Sequence, residues 1–180
     1  MPSVFETSSD AIPITFVTKS SWDQVAEQLP PQQRLFAAAC AFTAKPGAYL
    51  ALPAPDGAMA QVLFGLEDGG AKSRDLFRPG ALAGLLPPGT YRFANAPHDA
   101  RLATLAFALG CYRFARYRKA ERPDVRLVPP DGVDAAEIER IANAACLARD
   151  LINTPSNDMG PEQLAAAAQA LASEFGASFA

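Results

Sequence analysis

Short β-branched apolar runs alternate with stretches of helical period along this chain, and turn residues punctuate nearly every change. Ala11–Thr18, AIPITFVT, reads as a buried strand. Ser20 or Ser21 is placed to cap a short helix to Leu29, and Pro30-Pro31 stops it. Pro31 suits the first turn of a second helix, whose apolar stripe would be Leu35, Phe36, Ala39 and Phe42. Gly47–Pro53 and Ala58–Leu66 flank Pro55-Asp56-Gly57, which predicts a hairpin with Gly57 supplying a positive φ. Gly65–Ser73 reads as a loop. Leu76–Leu86 predicts a short helix broken at Pro79-Gly80 and ended by Pro87-Pro88-Gly89. Thr90–Ala94 predicts another strand. Asp99 is the expected N-cap of a helix carrying Leu102, Leu105, Leu109 and Tyr112 on one face. Val125–Val128 is a last short strand before the turn Pro129-Pro130-Asp131-Gly132. Strands separated by helices predict a layered α/β domain over 1–131, a central mixed sheet flanked by helices.

The pattern changes after Asp131. Asp134 is placed to cap a long linking helix within 132–153, with Ile138, Ile141, Ala145 and Ile152 along one side and Pro155 ending it. Gly160-Pro161 opens a further helix in which Leu164, Ala168, Leu171 and Phe175 make an apolar face, and Gly176 closes it. Ala177–Ala180 resembles the opening of an unfinished strand. Residues 154–180 therefore read as the beginning of a second α/β domain that needs something to pack on.

Composition narrows the classes. The 180 residues are 49% hydrophobic and 19% charged, which excludes a disordered polymer and a multi-span membrane protein. No apolar run approaches the roughly 18 residues of a membrane span. A net charge of −3 argues against general nucleic-acid binding, which needs a basic surface. The start, Met1 to Asp10, lacks the basic and apolar regions of a secretory signal, so a cytoplasmic address is expected. Cys40, Cys111 and Cys146 are widely spaced and read as reduced, mostly buried thiols. With His98 as the single histidine, a His/Cys zinc site is not expected.

Four local patterns invite chemistry. Arg113, Arg116, Arg118, Lys119 and Arg122, interleaved with Tyr112, Phe114 and Tyr117, could face nucleic acid or an acidic partner. The plainer reading, favoured by the acidic chain, is a helix end whose cations meet the negative dipole terminus and whose aromatics pack inward. Gly65–Ser73 could cradle a phosphate, yet it matches neither nucleotide-binding glycine motif and reads as a plain loop. His98 beside Asp99 lacks any nucleophile context, and a turn with Asp99 as cap is the expected role. Cys146 reads as packing within an apolar helix.

The most specific segment is Asn153-Thr154-Pro155-x-Asn157-Asp158-Met159-Gly160-Pro161, preceded by Ala148-Arg149-Asp150-Leu151. Its bare chemistry is that of cap and turn residues between two helices. It resembles the junction of leucyl aminopeptidases of the M17 metallopeptidase family, which joins their N-terminal and catalytic domains. Gly89–Asp99, GTYRFANAPHD, also resembles bacterial members. The resemblance implies that 154–180 begins a catalytic domain and that the parent enzyme releases N-terminal amino acids from peptides. It implies two divalent metal ions (Zn²⁺ or Mn²⁺), held by a lysine and several Asp and Glu side chains, and a hexamer. Those groups lie in segments resembling D-T-G-G and N-T-D-A-E-G-R, and neither string occurs here. No catalytic residue and no metal ligand is therefore assigned in this segment. Asn153, Thr154, Pro155, Asn157, Asp158, Met159, Gly160 and Pro161 are assigned a structural role, and assembly and domain support are the expected tasks. The alternative is a stand-alone α/β binding or regulatory module without catalysis.

Overall fold

The computed structural model describes residues 3–118 and 124–179. Lys119 and Arg122 of the basic cluster and Ala180 of the tail lie outside the described residues. Five strands form one mixed sheet: β1 Ile12–Val17, β2 Tyr49–Pro53, β3 Met59–Gly65, β4 Gly89–Phe93 and β5 Val125–Val128, in the order β2-β3-β1-β4-β5. The hairpin β2/β3 is antiparallel, and its turn uses Gly57 at φ +85° as the sequence requires. β1 pairs parallel with β3 and β4, and β4 pairs parallel with β5.

Side-chain alternation sorts the sheet into two faces. Ile14 and Phe16 of β1 and Val62 and Phe64 of β3 join Leu82, Tyr91 and Phe107 in one core. Val17 and Leu63 point the other way, into a second core with Leu29, Ala37 and Leu52. The first core is roofed by α3 Leu82–Leu85 and α4 Ala100–Gly110, the second by α1 Trp22–Gln28 and α2 Pro31–Ala39. A 3-10 turn, Arg78–Ala81, leads into α3, with Pro79 in its first turn rather than breaking a helix. α5 Ala135–Asn153 covers the outside of α4 through Leu105, Ala108, Ile138 and Ala142. α6 Pro161–Glu174 follows.

Several expected details are corrected. On α2 the buried residues are Gln33 and Ala37, while Leu35 is 71% exposed. Gln33 is held by Gln61 Nε2, 2.6 Å from its Oε1, and donates to the Pro53 carbonyl, so a polar bridge replaces the expected apolar stripe. On α5 the buried positions are Ile138, Ala142 and Cys146, a strict four-residue spacing. Ile152 is 81% exposed. Six consecutive α4 residues, Ala103–Ala108, are buried because the helix is sandwiched between sheet and α5. Cys111 and Cys146 are buried, but Cys40 is exposed. Residues 177–179 adopt no strand; Ala177 instead donates to the Ala172 carbonyl while Gly176 sits at φ +65°, a Schellman-type helix end.

Both predicted acidic caps form. Asp99 Oδ1 accepts from Leu102 N at 2.8 Å, and Asp134 Oδ1 accepts from Ala136 N and Glu137 N at 2.9 and 3.1 Å.

Candidate functional site

The junction motif occupies the end of α5, a short turn and the start of α6. Asn153, the last residue of α5, donates from Nδ2 to Tyr112 Oη at 3.1 Å. Thr154 is buried; its Oγ1 donates to the Asp150 carbonyl at 2.7 Å and accepts from Arg116 Nη1 at 3.4 Å. The turn closes through Asp158 N, which donates to the Pro155 carbonyl at 2.9 Å. Asn157 is exposed. Asp158 Oδ2 accepts a short 2.5 Å hydrogen bond from Tyr117 Oη. Gly160 N donates to Gln163 Oε1 at 3.1 Å, and Pro161 opens α6 without needing a donor. Met159 is half-buried and lines a cleft of about 570 Å³ with Arg113, Arg116, Leu147, Asp150 and Gln163.

The aromatic and basic residues 112–117 thus lie against the junction. Tyr112 Oη donates to Asp150 Oδ1 at 2.7 Å, and the Arg149 guanidinium stacks over its ring at 5.4 Å. Burial, then the hydrogen bond to Asp150, raises the Tyr112 pKa; the hydrogen bond to Asp158, then burial, raises that of Tyr117. Arg113 Nη1 donates to the Gly110 and Tyr112 carbonyls, serving the C-terminus of α4 as the dipole argument requires. Sequence reasoning did not pair these tyrosines with the junction. Their partners lie about forty positions away, and the visible hint was phenol groups embedded in a charged run.

The other candidate patterns resolve into structural contacts. Glu67 and Asp68 give the Gly65–Ser73 loop acceptors rather than a cradle of donors. Glu67 Oε1 receives Arg78 Nε at 2.7 Å and is ion-paired with Arg78 Nη2, which holds its carboxyl below the usual range. Asp68 Oδ1 takes Ser20 N at 2.9 Å and Ser20 Oγ at 2.6 Å, and these bonds lower its pKa. His98 Nε2 lies 2.6 Å from the Glu67 carbonyl, while Asp99 caps α4, so the pair forms no dyad.

Open α/β sheets bind ligands beyond the carboxyl ends of their strands. Here a crevice of about 450 Å³ is lined by Arg92, Asn95, Ala100, Val128 and Asp131. Within it Asn95 is committed, bridging to Phe16 N and O at 2.8 Å each, and beside it Asp99 occupies the N-terminus of α4. Among the described residues, no three His, Cys, Asp or Glu side chains are grouped to hold a metal ion.

Residues 12–130 match the model of the M17 aminopeptidase N-terminal domain. The chain belongs to the M17 aminopeptidase family. It is 31% identical over 159 residues to a probable cytosol aminopeptidase of Bradyrhizobium, aligning 75% of this chain with 32% of that protein. A probable cytosol aminopeptidase of Streptomyces coelicolor is 32% identical over 163 residues, 69% of this chain and 32% of that protein. The chain therefore spans about a third of these relatives. The crystal structure of the Coxiella burnetii cytosol aminopeptidase superposes with a TM-score of 0.83 at 30% identity, over 96% of this chain and 37% of that one. The bottromycin maturation enzyme BotP, solved with Mn, gives a TM-score of 0.69 at 26% identity, over 93% of this chain and 37% of that one. The M17 assignment agrees with the resemblance read from the junction.

Proposed function

We propose that this chain is the N-terminal part of a dinuclear-metal aminopeptidase that releases N-terminal amino acids from peptides. On this reading 1–131 is the N-terminal α/β domain, 132–153 the linking helix and 154–180 the beginning of the catalytic domain. The observation that carries it is the likeness to the Coxiella cytosol aminopeptidase, which continues through the linking helix and the junction rather than stopping at residue 130. The exposed apolar side of α6, with Leu164, Leu171 and Phe175 uncovered, supports it, since that side would pack on the metal-bearing part.

The described residues bring together no three His, Cys, Asp or Glu side chains and so do not fit a two-metal centre. Their task is assembly and support of the domain that carries Zn²⁺ or Mn²⁺. A hexamer in the cytoplasm completes the proposal; the relatives' cytosolic names accord with it, and no described helix is long and apolar enough to cross a membrane.

The test is the intact mass and activity of the native gene product. A mass well above 19.0 kDa, with Mn²⁺- or Zn²⁺-dependent hydrolysis of a leucyl amide, is expected. The 180-residue chain alone should show no hydrolysis. A native product of 19.0 kDa would overturn the proposal in favour of a binding module.

A further inference from the structure

The contacts between α4 and α5 form a ladder that does not stop where α4 stops. Arg101 meets Glu137 at 2.8 Å near the start of both helices, and Leu105, Ala108, Ile138 and Ala142 pack in the middle. Arg149 then donates to the Leu109 carbonyl at 3.2 Å. The two helices therefore run side by side in the same direction. α4 ends at Gly110, and the last buried residue within α5 is Cys146, so the fully buried apolar packing ends there. The ladder goes on in polar form: Tyr112 to Asp150 and Asn153, Arg116 to Thr154, Tyr117 to Asp158. The polar rungs named here, from Arg101 onward, keep a sequence separation between 36 and 41.

We propose that residues 112–117 form a clasp that fixes the bend between α5 and α6, with the Tyr117–Asp158 bond as its outermost rung. Asp158 lies beyond the end of α5 and two residues before the Gly160-Pro161 start of α6. A constraint at that point sets the direction in which the chain leaves the linking helix. α6 buries none of its own residues, so its apolar side contributes little to its orientation. The phenol–carboxylate bond is charge-assisted and therefore the strongest kind available to an exposed rung. Tyr117 and Arg116 are accordingly positioning residues. The basic aromatic segment serves the chain internally rather than an external polyanion. The consequence for an aminopeptidase, one orientation of α6 toward the metal-bearing part, rests on the function proposed above; the clasp itself does not.

Hydrogen exchange of the 180-residue chain, followed by mass spectrometry, tests it in the wild type, Tyr117→Phe, Asp158→Ala and the double variant. Amides of 155–166 should exchange about three- to tenfold faster in each single variant. Exchange in β1, β3 and β4 should stay unchanged, and the double variant should be no faster than the singles. Unchanged exchange at 155–166, additive effects, or acceleration spread evenly over the sheet would each overturn the clasp. Because the readout involves no catalysis, a failed aminopeptidase assay leaves this result standing, and a failed clasp leaves the family function standing.

Discussion

Gly110 offers a test in which two physical effects have opposite signs. It closes α4, where alanine is intrinsically preferred over glycine by about 1 kcal/mol. A methyl group there would run into the Gly80 carbonyl oxygen, with Gly80 C at 3.0 Å and Ala83 Cβ at 3.1 Å. The approach is reciprocal: a methyl on Gly80 would lie 2.6 Å from the Ala106 carbonyl oxygen. Helix α4 and the 3-10 turn thus touch backbone to backbone, with no flexible side chain to give way. Overpacking against such a contact belongs at the upper end of the usual range, about 3 kcal/mol. Subtracting the helix preference leaves a net loss of about 2 kcal/mol. For a chain of this length that lowers the Tm by about 4–8 °C. Gly84→Ala is the internal control, since the nearest atom to its added methyl is Arg113 Nη2 at 3.8 Å and α3 should accept it. The assay is thermal and urea unfolding of both variants by circular dichroism. A Tm for Gly110→Ala equal to or above that of wild type would refute the close-packing argument.

Four further outcomes follow from the core and its edges. Glu67 is nearly buried, its Oε2 has no hydrogen-bond partner among the described residues, and its folded pKa lies below the unfolded value of 4.5. It therefore contributes stability that is present above pH 4.5 and lost as the pH falls through the folded value; Glu67→Gln should flatten acid unfolding measured by urea titration. Arg78→Met should cost more than Glu67→Gln at pH 7, since it strands a buried carboxylate. Asp134→Ala removes the acceptor of two helix N–H groups and should cost about 1 kcal/mol, read as a Tm drop of about 2–4 °C. Tyr91 is fully buried and donates to the Pro87 carbonyl at 2.8 Å; burial, then the neighbouring Tyr49, raises its pKa to about 12. Its contribution is complete below pH 10 and lost as the pH rises toward 12, so alkaline unfolding should begin earlier in wild type than in Tyr91→Phe.

Much of the secondary structure was legible because local rules govern it. Pro30-Pro31, Pro55-Asp56-Gly57 and Pro87-Pro88-Gly89 punctuate the elements through backbone geometry that no tertiary contact can override. Asp99 and Asp134 act within three residues of themselves, and both cap as their sequence positions require. The junction string was legible as a family mark for the same reason, being a contiguous run. Which face of a helix is buried depends on what lies opposite, and there the pattern misled. Leu35 and Ile152 sit at plausible apolar positions yet face outward, while Gln33 turns inward because Gln61 and the Pro53 carbonyl satisfy it.

The sequence by itself therefore determined most of the elements, the acidic caps of α4 and α5 and the kinship, all properties of neighbouring residues, whereas Ser21 begins α1 without a side-chain cap bond. Only the tertiary structure decided the strand order β2-β3-β1-β4-β5, the ion pair of Glu67 with Arg78, and the meeting of Tyr112 and Tyr117 with Asp150 and Asp158. These are pairings across 11 to 41 positions and between strands distant in the chain, fixed by how layers stack rather than by any local preference.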